Sequence, residues 1–270
     1  MKRLSRFSLD FVLSVVRLWS LQTWTNICCY KGHCFPVWDV KFSLHGYYFA
    51  SCGHDRTARL WATDNHQALR LFSGHISDVD VSIVSRSIFT FALSVDLIKT
   101  PLPKCLQFHP NSNYVATGSS DRTVRLWDVL NGQCVRYYTG HKSKIFVLQF
   151  TNCGKFLVSA GADKAVLFWH LGHGYLVAQL TGHHDTIYTM CFSRDSNILA
   201  TGGNDDCINL WDANKLLEEL DSEEVNISQF PVVKTNSNDL LLGSYRTKST
   251  NILTLHFTRR NLLLASGVVH

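Results

Sequence analysis

Residues 32–62 read GHCFPVWDVKFSLHGYYFASCGHDRTARLWA, and five of them set a ruler: His33, Phe42, Ser51, Asp55 and Trp61. The ruler fits three more times. It returns as His75, Phe108, Thr117, Asp121 and Trp127, as His141, Phe150, Ser159, Asp163 and Trp169, and as His183, Phe192, Thr201, Asp205 and Trp211. Successive histidines lie 42, 66 and 42 residues apart, and the spacing from phenylalanine to tryptophan is identical in all four units. The 24 surplus residues of the second unit therefore fall between His75 and Phe108. A fixed period of this length is the mark of a repeat architecture.

Each unit carries strand chemistry. YYFASC, YVATGS, FLVSAG and ILATGG are short β-prone runs ending in small residues, and TARLW, TVRLW, AVLFW and CINLW follow after a tight turn. LRLFSGH, CVRYYTGH and LVAQLTGH add a further run before the next Gly-His. Four strands in about 42 residues, opened by Gly-His and closed by tryptophan, predict an all-β fold of propeller blades. An aspartate follows the tryptophan at 128 and 212, whereas Ala62 and His170 stand there in the other two units.

The ends keep the register. Trp19 precedes His33 by 14 residues, as Trp61 precedes His75, and Phe257 precedes Ser266 by nine. The N-terminus is thus expected to supply the last two strands of a blade and the C-terminus its first two. Four full blades plus one shared between the termini would close a ring and leave no free sheet edge. The alternative is a partial arc of a larger ring. The organisation expected is a non-matching segment 1–15, a propeller over 16–270, an anomalous insert at 81–104, and an acidic, then turn-rich excursion at 213–246.

Histidine, hydroxyl and aspartate in register invite comparison with a catalytic triad, which needs a nucleophile, a base and an orienting acid. A catalytic site is built once; this set is built four times. The reading adopted is a structural tetrad, in which tryptophan N–H, hydroxyl, imidazole and carboxylate satisfy one another. No HExxH, Walker loop or GxSxG is present. His183-His184 and His170-x-x-His173 suit a metal by type, but both sit beside repeat landmarks, and no metal, cofactor or small-molecule substrate is expected. The paired Arg259-Arg260 reads as a solvated turn.

Composition narrows the class. Apolar residues at 46% suffice for a core, and 17% charged is too few for a disordered chain. The net charge of +5 comes from scattered residues, so direct nucleic-acid binding is not expected. Nine cysteines without a CxxC pair suit a reducing compartment. The basic, apolar start MKRLSRFSLDFVLSVV is interrupted by Asp10 and lacks a small-residue cleavage site, and no apolar run is long enough to span a bilayer.

The GH…W units resemble the WD40 repeat family. YKGHCFPVWDVKFSLHGYYFASCGHDRTARLWATD, FHPNSNYVATGSSDRTVRLWDVLNGQCVR and TKSTNILTLHFTRRNLLLASG are similar, more specifically, to the C-terminal propeller of the TFIID subunit 5 family, the WD-repeat TATA-box-binding-protein-associated factors. The likeness covers residues 16–80 and 105–270. It implies a nuclear, non-enzymatic scaffold of the general transcription factor TFIID, and of the related SAGA coactivator, with histone-fold factors and other TFIID subunits as partners. The competing reading is a generic WD40 adaptor, such as a ubiquitin-ligase substrate receptor. Loop residues beside the Gly-His pairs and turn aspartates are the candidates for partner binding: Phe35, His54, Arg56, Ser120, Arg122, Asp185 and Asn204.

Removing Val81–Lys104 restores both the 42-residue interval and the family pattern. Two explanations stand. In one the segment is a retained intron: 24 codons keep the frame, Val81-Ser82 can be encoded by the donor GTAAGT, and a lysine codon can end in the acceptor AG. In the other it is a genuine loop, placed where a strand rather than a turn is expected.

Overall fold

A computed structural model describes residues 7–12, 14–77, 105–223, 239–248 and 250–269. The described residues form six antiparallel sheets in sequence order. The first has three strands, β1 (Phe7–Val12), β2 (Val15–Ser20) and β3 (Asn26–Lys31). Four four-stranded sheets follow. They comprise β4 (Val37–Phe42), β5 (Tyr48–Gly53), β6 (Thr57–Ala62) and β7 (Ala68–Ser73); then β8 (Leu106–Phe108), β9 (Tyr114–Gly118), β10 (Thr123–Asp128) and β11 (Cys134–Thr139). The third is β12 (Ile145–Phe150), β13 (Phe156–Gly161), β14 (Ala165–His170) and β15 (Leu176–Thr181). The fourth is β16 (Ile187–Phe192), β17 (Ile198–Gly203), β18 (Cys207–Asp212) and, after helix α1 (Ala213–Glu223), β19 (Leu241–Arg246). A two-stranded sheet, β20 (Thr250–Phe257) with β21 (Leu263–Val269), ends the chain.

The core lies between sheets rather than within one. Ala50, Cys52, Leu60 and Phe72 of one blade meet Leu106, Val115 and Trp127 of the next, and Val158, Val166 and Phe168 meet Ile187, Leu199 and Trp211. Strands therefore bury both faces at mid-arc: every residue of β13 and β14 is buried. That is why they read as continuous apolar runs and not as alternation. Each fully buried tryptophan contributes about 2–3 kcal/mol through its removed apolar area.

The strand pairings correct the expected closure. Among the described residues β21 pairs with β20 and β2 pairs with β1 and β3, so the termini do not share a blade. The reason is visible in the register. Asp10 lies opposite Arg17 in the first sheet as Ser51 lies opposite Arg59 in the second, so β1 occupies the place of a second blade strand along β2. With that edge already hydrogen-bonded, no free ladder remains there for β21. The segment with no repeat signature supplies a strand of the first sheet.

The insert 81–104 lies outside the described residues. The blade resumes at Cys105, whose carbonyl accepts the Gly118 N–H at 2.9 Å, and whose thiol donates to the Ile145 carbonyl at 2.9 Å.

Candidate interaction face

The four tetrads form, each from the loop before an innermost strand, the second strand, the turn and the third strand. Trp61 Nε1–H donates to Ser51 Oγ at 2.8 Å, Ser51 meets His33 Nε2 at 2.7 Å, and His33 Nδ1 meets Asp55 Oδ2 at 2.7 Å. For Trp127, Thr117, His75 and Asp121 the same three distances are 2.8, 2.9 and 2.8 Å. For Trp169, Ser159, His141 and Asp163 they are 2.7, 2.6 and 2.6 Å. For Trp211, Thr201, His183 and Asp205 they are 2.8, 2.7 and 2.8 Å. The second tetrad is intact although 24 extra residues separate His75 from its partners.

Neighbours decide the tautomer. The tryptophan has only a proton to give, so the hydroxyl oxygen accepts it and sends its own proton to Nε2. Nδ1–H then donates to the carboxylate. A neutral imidazole closes the chain with every proton used.

Burial is the largest influence on the His75 ring and pushes its pKa down. For Asp55, burial is the largest single influence and opposes ionisation. The hydrogen bonds from His33 and Thr57 together outweigh it and hold the carboxyl at about 2. Asp121, Asp163 and Asp205 are lowered by the same balance, burial against the histidine bonds.

Thr57 and Thr123 donate hydroxyl bonds of 2.7 and 2.6 Å to the outer carboxylate oxygens of Asp55 and Asp121. Ala165 and Cys207 stand in that place beside Asp163 and Asp205. The Cys207 N–H still reaches Asp205 Oδ1 at 3.3 Å, whereas Asp163 Oδ1 is buried without a hydrogen-bond partner among the described residues, which leaves that tetrad incomplete. Ser51, Thr117, Ser159 and Thr201 are all 0% exposed, so no substrate carbonyl reaches any of the four hydroxyls.

Chain direction puts each Gly-His loop and each second-to-third-strand turn at the same end of its sheet, which makes one face of the molecule. Four innermost-strand positions depart from the ladder there. The register slips between Val37 and Asp39, Ile145 and Val147, Ile187 and Thr189, and Ile252 and Thr254, so Trp38, Phe146, Tyr188 and Leu253 are bulge residues released from strand pairing. Phe146 and Tyr188 meet edge to face at 5.6 Å. Trp38 and Phe35 both pack on His54, at 6.2 and 5.6 Å. Glycine enforces this geometry, since a Cβ on Gly161 or Gly203 would overlap the Lys144 or Thr186 carbonyl.

The sequence candidates fall into separate groups on this face. Phe35 and His54 sit together, with Arg56 on the same turn. Ser120, whose Oγ is buried without a hydrogen-bond partner among the described residues, and Arg122 occupy the corresponding turn of the next blade. Asp185 accepts a 2.8 Å bond from Asn204, which is the main cause of its lowered pKa. Sequence reasoning passed over Trp38, Phe146 and Tyr188, although each follows its tetrad histidine by five residues. It also passed over Lys164. Arg56, Arg122 and Lys164 share a left-handed turn position, with φ of 62°, 67° and 65°. There a non-glycine residue costs about 1 kcal/mol or more.

Among the described residues no group of three histidine, cysteine or acidic side chains is placed to hold a metal, and no helix is long and apolar enough to cross a membrane.

Stacked antiparallel sheets, the four four-stranded ones each clamped by one buried tetrad and presenting loops at one face, define a β-propeller repeat protein. The chain belongs to the WD40 family: the WD domain, G-beta repeat pattern matches residues 24–62, 100–128, 132–170 and 174–212, more than half of its length. It is 36% identical over 253 residues to transcription initiation factor TFIID subunit 5 of Caenorhabditis elegans, covering 93% of this chain and 35% of that protein. It is 30% identical over 144 residues to nuclear distribution protein PAC1-2 of Uncinocarpus reesii, covering 52% and 30%. Eukaryotic translation initiation factor 3 subunit I of Saccharomyces cerevisiae is 30% identical over 125 residues, covering 46% and 28%. The chain thus spans about a third of the length of these relatives. The family and the fold assign it a role in protein–protein interaction.

Proposed function

We propose that this chain is a non-enzymatic scaffold subunit of TFIID, acting in the nucleus by holding other TFIID subunits, histone-fold factors among them. One observation carries the reading. Similarity to a TFIID subunit runs through 93% of the chain, whereas the likeness to the PAC1 and translation-factor proteins ends near half of it. The segments FHPNSNYVATGS and LHFTRRNLLLASG, which are more specific than the Gly-His and tryptophan landmarks alone, support it. The buried tetrads support the non-enzymatic part, since their hydroxyls serve tryptophan and histidine inside the sheet.

Affinity purification of the tagged chain from nuclear extract, with the eluate identified by mass spectrometry, tests the proposal. TFIID subunits are expected. Cullin-type ligase components in their place would transfer the chain to the adaptor class, and an eluate of chaperones alone would refute a scaffold role.

A further inference from the structure

The loops and turns of the tetrad face are strongly asymmetric in charge. Among the described residues they carry six cations, Arg56, Arg122, Lys142, Lys144, Lys164 and Lys248, five of them exposed and Lys144 half-buried. Outside the tetrads they carry two carboxylates, Asp185 and Asp206. The tetrad carboxylates lie beneath the surface, with side chains 4–7% exposed.

Among the described residues none of the six cations forms a direct ion pair, although Lys164 lies near enough to Asp185 to help lower its pKa. Two reach neutral oxygens of the neighbouring loop instead. Lys164 Nζ donates to the His184 carbonyl at 2.7 Å and Arg56 Nη1 to the Ile76 carbonyl at 3.5 Å. Three of the cations occupy the left-handed turn position, which Asp206 fills in the fourth blade with φ of 55°.

Aromatic groups share this face, Phe35 and Trp38 around His54 and Phe146 against Tyr188. Resting on the scaffold reading, we propose that the tetrad face receives an acidic, aromatic-bearing extended segment of a partner protein. Its carboxylates lie along the lysines and arginines, and its rings pack on the bulge residues.

A nucleic acid fits less well. The rings meet edge to face, at 71° for Phe146–Tyr188 and 76° for Phe35–His54, rather than lying flat as platforms for stacked bases.

Fluorescence anisotropy on the full chain tests this with three probes: a labelled peptide of repeated Glu-Glu-Phe-Asp units, its Gln/Asn counterpart, and single-stranded DNA of matching charge. The acidic peptide is expected to bind, more weakly as salt rises, and at least about tenfold more tightly than the amide peptide. Lys142→Glu with Lys164→Glu should weaken it by about tenfold or more without moving the melting temperature. Arg259→Glu with Arg260→Glu, at the opposite end of the sheets, should leave binding intact. Should charge reversal disturb the Lys164 turn, Arg122→Gln with Lys142→Gln replaces that pair.

Equal binding of both peptides, loss of binding on the opposite face only, or tighter binding of DNA would overturn the inference. Capture of TFIID subunits by a chain that ignores the acidic peptide would overturn it too, while leaving the scaffold reading standing.

Discussion

Replacing Ser159 by alanine is the sharpest test of how this fold is held. Its Oγ accepts the Trp169 indole proton at 2.7 Å and meets His141 Nε2 at 2.6 Å, with no exposure to water. Alanine removes one small atom and strands two buried polar groups, the indole N–H and the ring nitrogen. Each orphan costs about 1–3 kcal/mol, so the substitution should destabilise by about 2–6 kcal/mol. Two comparisons isolate the cause. Ser266→Ala removes an exposed hydroxyl bonded to Thr254 at 2.7 Å, and should cost under about 0.5 kcal/mol. Trp169→Phe in the Ser159→Ala background removes one of the orphans, so the two changes should cost less together than their sum. Urea unfolding followed by far-ultraviolet circular dichroism reads all three. A loss below about 0.5 kcal/mol for Ser159→Ala would refute the view that the tetrads clamp the blades.

The incomplete tetrad offers the reverse experiment: Ala165→Thr should place a hydroxyl against the orphaned Asp163 Oδ1 and stabilise by about 1 kcal/mol, and a lowered urea midpoint would refute that geometry. Acid should loosen the fold in two stages. His75 has a folded pKa below its ordinary 6.5, so its contribution is complete above that value and declines as pH falls beneath it. Asp55 is lowered from 3.8 to about 2, so its contribution is complete above 3.8 and is lost as pH falls through about 2. A melting temperature that stays level from pH 7.5 down to pH 3 would contradict both signs.

The tetrads were legible in the sequence because antiparallel pairing converts a fixed spacing into a fixed contact. Ser51 lies opposite Arg59 in every copy of the pattern, as Ser159 lies opposite Leu167, so the tryptophan two residues further on always finds its hydroxyl. Even the second unit kept its contact, since His75 is placed by the sheet it enters and not by its distance along the chain. The aromatic part of the face was not legible. Trp38, Phe146 and Tyr188 read as ordinary strand residues until the ladder is seen to slip around them, and a bulge is a property of two strands together.

The sequence by itself determined the repeat, the register of its landmarks, the all-β class and the family. All of these are carried by side chains whose spacing must match a strand period. Only the tertiary structure decided what lies along β2. The edge of a strand offers backbone N–H and C=O groups that are alike in every residue, so the side-chain pattern does not name the partner. The pattern pointed to β21. The segment that takes the edge is β1, which carries no repeat signature and stands next to β2 in the chain, where a short turn makes pairing least costly.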